Sequence, residues 1–116
     1  NVYYKMLGMK IGKNTLVGGI IKDPCVTSFG RNTTMGEYAL IYGHITNYQR
    51  GTIIIKETVI GNNCVIGAGS IIMPGVTIED DVIIAAGAVV PQDQLLKTGY
   101  VYAGIPAKPI AKNKNA

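Results

Sequence analysis

The sequence has few of the residues on which most protein interiors and metal sites depend. Its 116 residues include no Trp, one Phe, one His and two Cys. A core with so few large rings must be built from aliphatic side chains, and 17 Ile and 10 Val supply them. No run of 18 apolar residues is present, so we expect no membrane-spanning segment within this chain.

The two cysteines, Cys25 and Cys64, lie far apart and form no Cys-x-x-Cys motif. Two isolated thiols favour a reduced, cytoplasmic setting over a disulfide framework. The chain starts at Asn1 rather than Met, so the sequence leaves open whether further segments precede it.

The net charge of +4 does not indicate a nucleic-acid-binding protein. Basic residues are not clustered with interleaved aromatics, and Lys108, Lys112 and Lys114 lie in a tail that solvates readily. The sequence also contains no phosphate-binding loop of the P-loop type.

β-Branched residues recur every six positions through the second half of the chain. The series is Ile54, Ile60, Ile66, Ile72, Ile78, Ile84 and Val90. Neither a helix nor a flat sheet has this period, whereas a short strand followed by a corner does. The residues four positions after each of these, from Thr58 to Ala88, are small or short, and strand alternation turns both sets inward.

An earlier tract has the same period but is interrupted twice. Its positions are Ile11, Val17, Asp23, Phe29, Met35 and Ile41, where only Asp23 is polar. Ile41 and Ile54 are 13 residues apart instead of 12, so we expect one inserted residue in a loop around HITNYQRGT.

Three strands and three corners close a triangular coil of about 18 residues, which is a parallel β-helix. We therefore predict an all-β domain over residues 1–116, with regular coils over about 7–96 and a capping segment over 97–116. Ile60 should stack on Ile78, Ile66 on Ile84, and Ile72 on Val90. After Val90 the period is expected to fail, with a short strand at 100–103 and a turn before the tail.

Outward-facing positions between the corners are also largely apolar. They are Val59, Val65, Ile71, Thr77, Ile83 and Val89. A monomer would expose them as patches, whereas a closed homo-oligomer would bury them.

The stretch IGNNCVIGAGSIIMPGVTIEDDVIIAAGAVV, followed by AGIPAKPI, resembles the hexapeptide-repeat acyltransferases. This family includes galactoside, maltose, serine and xenobiotic acetyltransferases. The resemblance covers roughly residues 7–110. It implies a left-handed parallel β-helix, a homotrimer with sites between subunits, and acetyl-CoA as co-substrate with a small-molecule acceptor.

The resemblance also implies a catalytic role for His44, which lies in LIYGHITNYQRG where the period is lost. A His at this position would act as general base, removing a proton from an acceptor hydroxyl or amine. Neither Asn47 nor Glu37 can be singled out from spacing as the residue that orients it. From spacing alone, an ordinary surface or corner histidine is the favoured interpretation of His44.

The same resemblance predicts where coenzyme A would lie. Small residues leave room for the pantetheine arm, and Lys108 in the closing GIPAKPI could pair with a phosphate. The candidate cofactor-binding residues are Gly67, Ala68, Ala86, Gly87, Pro91, Ile105, Pro106 and Lys108. Pro91 stands where relatives often carry Thr or Ser, and small residues are also typical of ordinary corners.

Asn47, Tyr48 and Arg50 are candidates for acceptor binding, because they lie in the inserted loop. A sugar hydroxyl is the acceptor we expect first, and an amine the second. Two alternatives stay open. One is a non-catalytic β-helix that serves in assembly. The other is a zinc hydratase resembling γ-type carbonic anhydrases, which is disfavoured because one His replaces the three that zinc would need, so no metal is expected.

Overall fold

The computed structural model describes residues 4, 6–47 and 49–113 of the chain. They form short strands and one 3₁₀ turn, Pro24–Val26. Within these residues no helix is long and apolar enough to cross a membrane. The strands are β1 (Lys10–Ile11), β2 (Leu16–Val17), β3 (Ile20–Ile21), β4 (Thr27–Phe29), β5 (Thr34–Met35), β6 (Leu40–Ile41), β7 (His44–Asn47), β8 (Thr52–Ile55), β9 (Thr58–Ile60), β10 (Val65–Ile66), β11 (Ile71–Ile72), β12 (Thr77–Ile78), β13 (Ile83–Ile84), β14 (Val89–Val90), β15 (Leu95–Leu96), β16 (Tyr100–Ala103) and β17 (Lys108–Lys112).

The strands build the three faces of a triangular prism. Face A has the order β1-β4-β9-β12-β15, face B contains β2-β5-β10-β13-β16 with β17 at its end, and face C has the order β3-β6-β11-β14. Neighbours within each stack are parallel, except for β16 and β17. Five coils follow: coil 1 holds β1 to β3, coil 2 β4 to β6, coil 3 β9 to β11, coil 4 β12 to β14, and coil 5 β15 and β16. The predicted parallel β-helix is confirmed.

The core is a set of aliphatic columns, as the six-residue period predicts. Ile60 is in register with Ile78, Ile66 with Ile84, and Ile72 with Val90. The short residues four positions further on are buried with them, namely Thr58, Cys64, Ser70, Val76, Val82 and Ala88. Each two-residue strand therefore contributes one inward side chain, and the stack of coils forms a continuous, mainly aliphatic core in which Phe29 and Tyr102 are the buried rings.

The corners between faces A and B repeat one polar arrangement. Asn14, Asn32, Asn63 and Asp81 all have positive φ, between 55° and 60°. Asn and Asp tolerate this left-handed conformation better than other side chains. Side-chain oxygens also link successive coils, because Asn62 accepts a hydrogen bond from the Arg31 N–H and Asp80 accepts one from the Asn62 N–H, both at 2.8 Å.

Coil 1 has a shortened corner between faces B and C. Only Gly18 and Gly19 separate β2 from β3, whereas four residues separate the matching strands of coils 2, 3 and 4. Ile21 consequently takes the buried position that the period assigned to Asp23. The break that the series shows at Asp23 therefore arises from the preceding corner, which is two residues shorter, and Asp23 lies at the following corner.

The loop expected near His44 is an antiparallel hairpin formed by β7 and β8. Ile41 and Ile60 occupy successive inward positions of the helix although they are nineteen residues apart instead of six. The predicted single-residue insertion is therefore wrong. Ile54 is not a column residue either, because it pairs with Ile45 in the hairpin and is 39% exposed.

The period continues beyond Val90, contrary to the sequence-based expectation. Leu96 and Tyr102 follow at six-residue intervals and are both buried. The predicted strand at Tyr100–Ala103 is present as β16. After it the chain reverses, and β17 runs antiparallel to β16 along the end of face B.

Candidate functional site

His44 lies where the hairpin leaves the prism, at the edge between faces C and A. Its Nδ1 atom is 2.6 Å from Oδ2 of Asp23, and the two side chains are 39% and 26% exposed. An ionised carboxylate only accepts hydrogen bonds, so the contact places a proton on Nδ1, and in the neutral form of the ring Nε2 is the unprotonated nitrogen. The lone pair of Nε2 is then left to accept a proton, which is the tautomer that a general base requires.

Asp23 is held in place by the corner of coil 1, directly beside the start of the hairpin. Its backbone carbonyl accepts hydrogen bonds from the Val26 N–H at 3.2 Å and the Thr27 hydroxyl at 3.0 Å. Its carboxylate also accepts a hydrogen bond from the Gly43 N–H at 2.9 Å. The carboxylate therefore fixes both the imidazole and the backbone that carries it.

Gly43 is needed at this point because coil 1 packs against it. A Cβ atom there would lie 2.7 Å from the Asp23 Cβ and 2.5 Å from the Val26 Cγ2. A larger residue would push the hairpin away from coil 1 and separate His44 from Asp23.

The other strand of the hairpin is tied to the coils by a second ion pair. Lys56 Nζ lies 2.6 Å from Asp93 Oδ2, and these side chains are 35% and 55% exposed. The two side chains meet above Gly75, in the corner between β11 and β12. A Cβ atom on Gly75 would meet the Asp93 carboxylate and lie 3.0 Å from Lys56 Cδ. The Lys56 N–H also donates to the Gly43 carbonyl at 2.9 Å, which closes the base of the hairpin.

Asp23 is the site residue that the sequence analysis missed. In the sequence, Asp23 is distinguished only as the one polar residue in the six-residue series from Ile11 to Ile41. Its partnership with His44 spans 21 residues and depends on the shortened corner at Gly18 and Gly19, whose length the period did not disclose. Glu37 lies at a different edge of the prism, between faces B and C.

Most of the candidate cofactor residues lie together along the edge between faces B and C, which we call the B–C edge. It consists of residues 18–19, 36–39, 67–70, 85–88 and 104–107, one corner from each coil. The predicted residues on it are Gly67, Ala68, Ala86, Gly87, Ile105 and Pro106. Lys108 follows at the start of β17, paired with Ala103.

Backbone contacts hold the corners of this edge in a row. The Gly87 N–H donates to the Ala68 carbonyl at 3.0 Å, and the Ala107 N–H donates to the Val89 carbonyl at 2.8 Å. A Cβ atom on Gly67 would lie 2.5 Å from the Ala86 nitrogen. Ala68, Gly69, Ala86 and Gly87 are exposed, so the edge offers backbone with almost no side chain over it.

The remaining predicted residues lie elsewhere. Pro91 follows β14 at the edge between faces C and A, on the side of the prism that carries His44. Asn47 pairs with Thr52 within the hairpin, and Arg50 is exposed in its turn. Tyr48 lies outside the described residues. Within the described parts of the chain, no group of three or more His, Cys, Asp or Glu side chains could hold a metal ion.

The family of bacterial transferase hexapeptide repeats, described as six repeats, matches residues 57–92. This is the segment that forms coils 3 and 4. Residues 57–92 therefore carry hexapeptide repeats. The fold of this family is the left-handed parallel β-helix, so both the predicted fold and the resemblance are confirmed.

The similarity to two curated relatives extends beyond residues 57–92. The chain is 35% identical over 99 residues to YvoF of Bacillus subtilis (strain 168), whose name marks it as a candidate acetyltransferase. It is 38% identical over 81 residues to the 2,3,4,5-tetrahydropyridine-2,6-dicarboxylate N-acetyltransferase of Staphylococcus aureus (strain JH9). These matches cover 79% and 70% of this chain but 55% and 31% of the relatives, so the chain spans about half of their length or less.

Solved structures of acetyltransferases share the fold of this chain. A maltose O-acetyltransferase from Clostridium difficile 630 superposes with a TM-score of 0.80 at 30% identity, over 90% of this chain and 59% of that one. The hexapeptide-repeat acetyltransferase VCA0836 from Vibrio cholerae, complexed with acetyl-CoA, superposes with a TM-score of 0.81 over 91% and 61%. Its identity of 24% supports the likeness of fold alone.

Proposed function

We propose that the protein is an acetyltransferase that moves the acetyl group of acetyl-CoA directly to a hydroxyl of a sugar. The observation that carries the proposal is the Asp23–His44 pair on a hexapeptide-repeat scaffold, at 2.6 Å. Acetyltransferases among both the sequence relatives and the structural neighbours support the class of reaction.

His44 acts as the general base. Asp23 holds the proton on Nδ1, so Nε2 takes the proton of the acceptor hydroxyl as its oxygen attacks the thioester carbonyl. The carbon–sulfur bond then breaks, and the proton on Nε2 passes to the leaving thiolate. A backbone N–H near the thioester stabilises the negative charge that develops on the carbonyl oxygen.

Acetyl-CoA binds along the B–C edge. The pantetheine arm lies against the exposed backbone at Ala68 and Ala86, where longer side chains would block its approach. Lys108 pairs with a phosphate at the C-terminal end of the edge, and Ile105 and Pro106, both exposed, pack against the adenine. Acetyltransferases among the relatives at 30% to 38% identity support this choice of co-substrate.

The active form is a homotrimer. Leu16, Val65 and Leu95 point outward from faces A and B and are exposed in the single chain, as are Ile53 and Ile55 in the hairpin. Covering these side chains stabilises an assembly of prisms about one axis. The free thiols of Cys25 and Cys64 agree with the cytoplasmic location that we propose.

An amine is the second candidate acceptor. The relative from Staphylococcus aureus is an N-acetyltransferase and shares 38% identity over 81 residues. The same His44 geometry would serve, because an ammonium group must also lose a proton before it attacks. Asn47 and Arg50 in the hairpin, together with Tyr48, belong to the proposed acceptor side of the site, and Pro91 to its cofactor side.

The test is coenzyme A release with acetyl-CoA and a panel that includes maltose, glucosamine and small amines. We expect the wild-type protein to release thiol with one of them and His44→Ala to lose about a hundredfold to ten-thousandfold in kcat. The change should leave the KM for acetyl-CoA nearly unaffected, because His44 takes the proton of the acceptor and is not among the residues proposed to hold the coenzyme. Equal turnover in the two proteins would exclude His44 as the base. Absence of release in the wild type would favour a non-catalytic β-helix.

A further inference from the structure

The shortened corner of coil 1 leaves a recess at the N-terminal end of the B–C edge. Coils 2, 3 and 4 have four residues at this corner, and coil 1 has Gly18 and Gly19 alone. The recess has a volume of about 390 Å³ and is lined by Gly18, Gly19, Ile20, Glu37 and Tyr38. It is an open depression on the surface, large enough for one face of a small molecule to lie against it.

The floor of the recess is backbone that tolerates no side chain. A Cβ on Gly18 would lie 2.6 Å from the Met35 carbonyl oxygen, and one on Gly19 would lie 2.6 Å from the Met35 Cε. The Gly19 carbonyl also accepts a hydrogen bond from the Tyr4 hydroxyl at 3.3 Å. The two glycines therefore pack directly on coil 2.

Tyr38 borders this recess and has an unusual, left-handed backbone conformation. Its φ is 63°, and the matching residues of coils 3 and 4 are Gly69 and Gly87, with φ of 71° and 73°. A bulky residue in the left-handed region is disfavoured, and such outliers tend to occur at functional sites. The side chain of Tyr38 is 82% exposed, so packing within the single chain does not account for it.

The position of the recess connects it to the proposed reaction. It continues the row of corners at Ala86 and Ala68 along which the pantetheine arm would lie. Tyr38 and His44 belong to the same coil, but six residues of nearly extended chain, roughly 20 Å, run between them along face C. A single sugar ring cannot reach both in one chain. In a trimer of parallel prisms, however, His44 of a neighbouring subunit lies at the same height.

We propose that Glu37 and Tyr38 form the acceptor-binding recess of the transferase, facing His44 of a neighbouring subunit, and that it selects neutral or amine-bearing sugars against acidic ones. The Tyr38 ring stacks on the apolar face of a sugar. The Glu37 carboxylate accepts hydrogen bonds from hydroxyl or ammonium groups and repels carboxylates. This inference rests on the proposed function.

The first test is Tyr38→Gly, the residue found at the matching corners. Glycine relieves the left-handed backbone, so we expect a stable protein whose KM for the acceptor found in the panel rises about tenfold. The KM for acetyl-CoA should not change. Asn63→Gly is the matched control, because Asn63 has a φ of 57° at an exposed corner of another edge. An unchanged acceptor KM in an active Tyr38→Gly protein would overturn this inference alone. No transfer by the wild type would overturn the proposed function as well.

Glu37→Gln tests the charge selection. We expect the ratio of kcat/KM for glucuronate to that for glucose to rise about tenfold in the variant, because the repulsion of the carboxylate is removed. An unchanged ratio would contradict the assigned role of Glu37.

Co-expression of His44→Ala with Tyr38→Gly tests whether the site is shared. If His44 and Tyr38 of one site come from different subunits, mixed trimers contain sites with both wild-type residues. Activity at low acceptor concentration should then exceed that of either variant alone. Activity no higher than the mean of the two variants would contradict the pairing across subunits.

Discussion

Coils 3 to 5 and coils 1 and 2 are built on the same three-faced plan but differ in regularity. In coils 3 to 5 every inward position from Ile60 to Tyr102 follows the last after six residues, and all are buried. Coils 1 and 2 contain the two-residue corner, the 3₁₀ turn Pro24–Val26 and the β7–β8 hairpin. The Asp23–His44 pair and the Glu37–Tyr38 recess both lie in this irregular half.

The comparison indicates that the regular half is mainly scaffold and the irregular half carries most of the proposed chemistry. Departures from a consistent pattern tend to occur at functional or strained sites. Here each departure also has a specific consequence. The short corner opens the recess, and by moving Asp23 out of the core it supplies the carboxylate that contacts His44.

The largest expected effect on stability is in the regular half. Ile72 is fully buried between Ile41 and Val90, so Ile72→Ala should lower the free energy of unfolding by about 2–5 kcal/mol. Ile21 lies at the end of the same column, so Ile21→Ala should lower the free energy of unfolding by less. Urea unfolding at one fixed protein concentration measures both. A cost for Ile21→Ala equal to that for Ile72→Ala would mean that the two halves do not differ in packing.

The next effect concerns catalysis in the irregular half. Asp23→Asn should lower kcat by about tenfold to a hundredfold with little change in the KM for acetyl-CoA, because an uncharged amide no longer holds the proton on Nδ1 of His44. Lys56→Met is the matched control, since it removes the exposed ion pair on the other strand of the same hairpin. It should cost less than about 1 kcal/mol of stability and leave kcat near the wild-type value. Equal losses in kcat would show that Asp23 only anchors the hairpin.

The smallest expected effect concerns the two cysteines, and it is a change in how the free energy of unfolding depends on pH. Burial in coil 3 raises the pKa of the Cys64 thiol above its ordinary value of about 9, while Cys25 in coil 1 is exposed. Above pH 9 the unfolded chain ionises at Cys64 but the folded chain does not, so stability falls as pH rises. Cys64→Ala should reduce this alkaline slope in unfolding experiments, and Cys25→Ala should leave it. The same slope in both variants would contradict the burial of Cys64.

Most of the fold could be predicted because one six-residue period encodes it. Ile66, Ile72 and Ile84 occupy the columns that the period assigned to them. The period was followed too strictly at Ile54 and was abandoned too early after Val90, since Leu96 and Tyr102 continue it. The corner at Gly18 and Gly19 is two residues shorter than its counterparts, and another corner carries the β7–β8 hairpin, yet the stacking of inward side chains is unchanged. Sequence spacing alone does not distinguish a shortened corner from an inserted hairpin.

The candidate site was less predictable because it depends on contacts between coils. His44 was singled out through a family resemblance, whereas its contact with Asp23 joins corners of two different coils. Tyr38 was not singled out at all, since a tyrosine at a corner has no distinctive sequence signal. Only its φ and its two glycine counterparts distinguish it.

The central claim is that the B–C edge binds acetyl-CoA while His44, at another edge, does the chemistry. Calorimetric titration of acetyl-CoA into the wild type, His44→Ala and Ala86→Trp tests it most directly. We predict saturable binding near one site per chain in the wild type, unchanged binding in His44→Ala, and loss of binding in a folded Ala86→Trp, whose ring would cover the exposed corner. No binding by the folded wild type, or full binding by Ala86→Trp, would contradict the account.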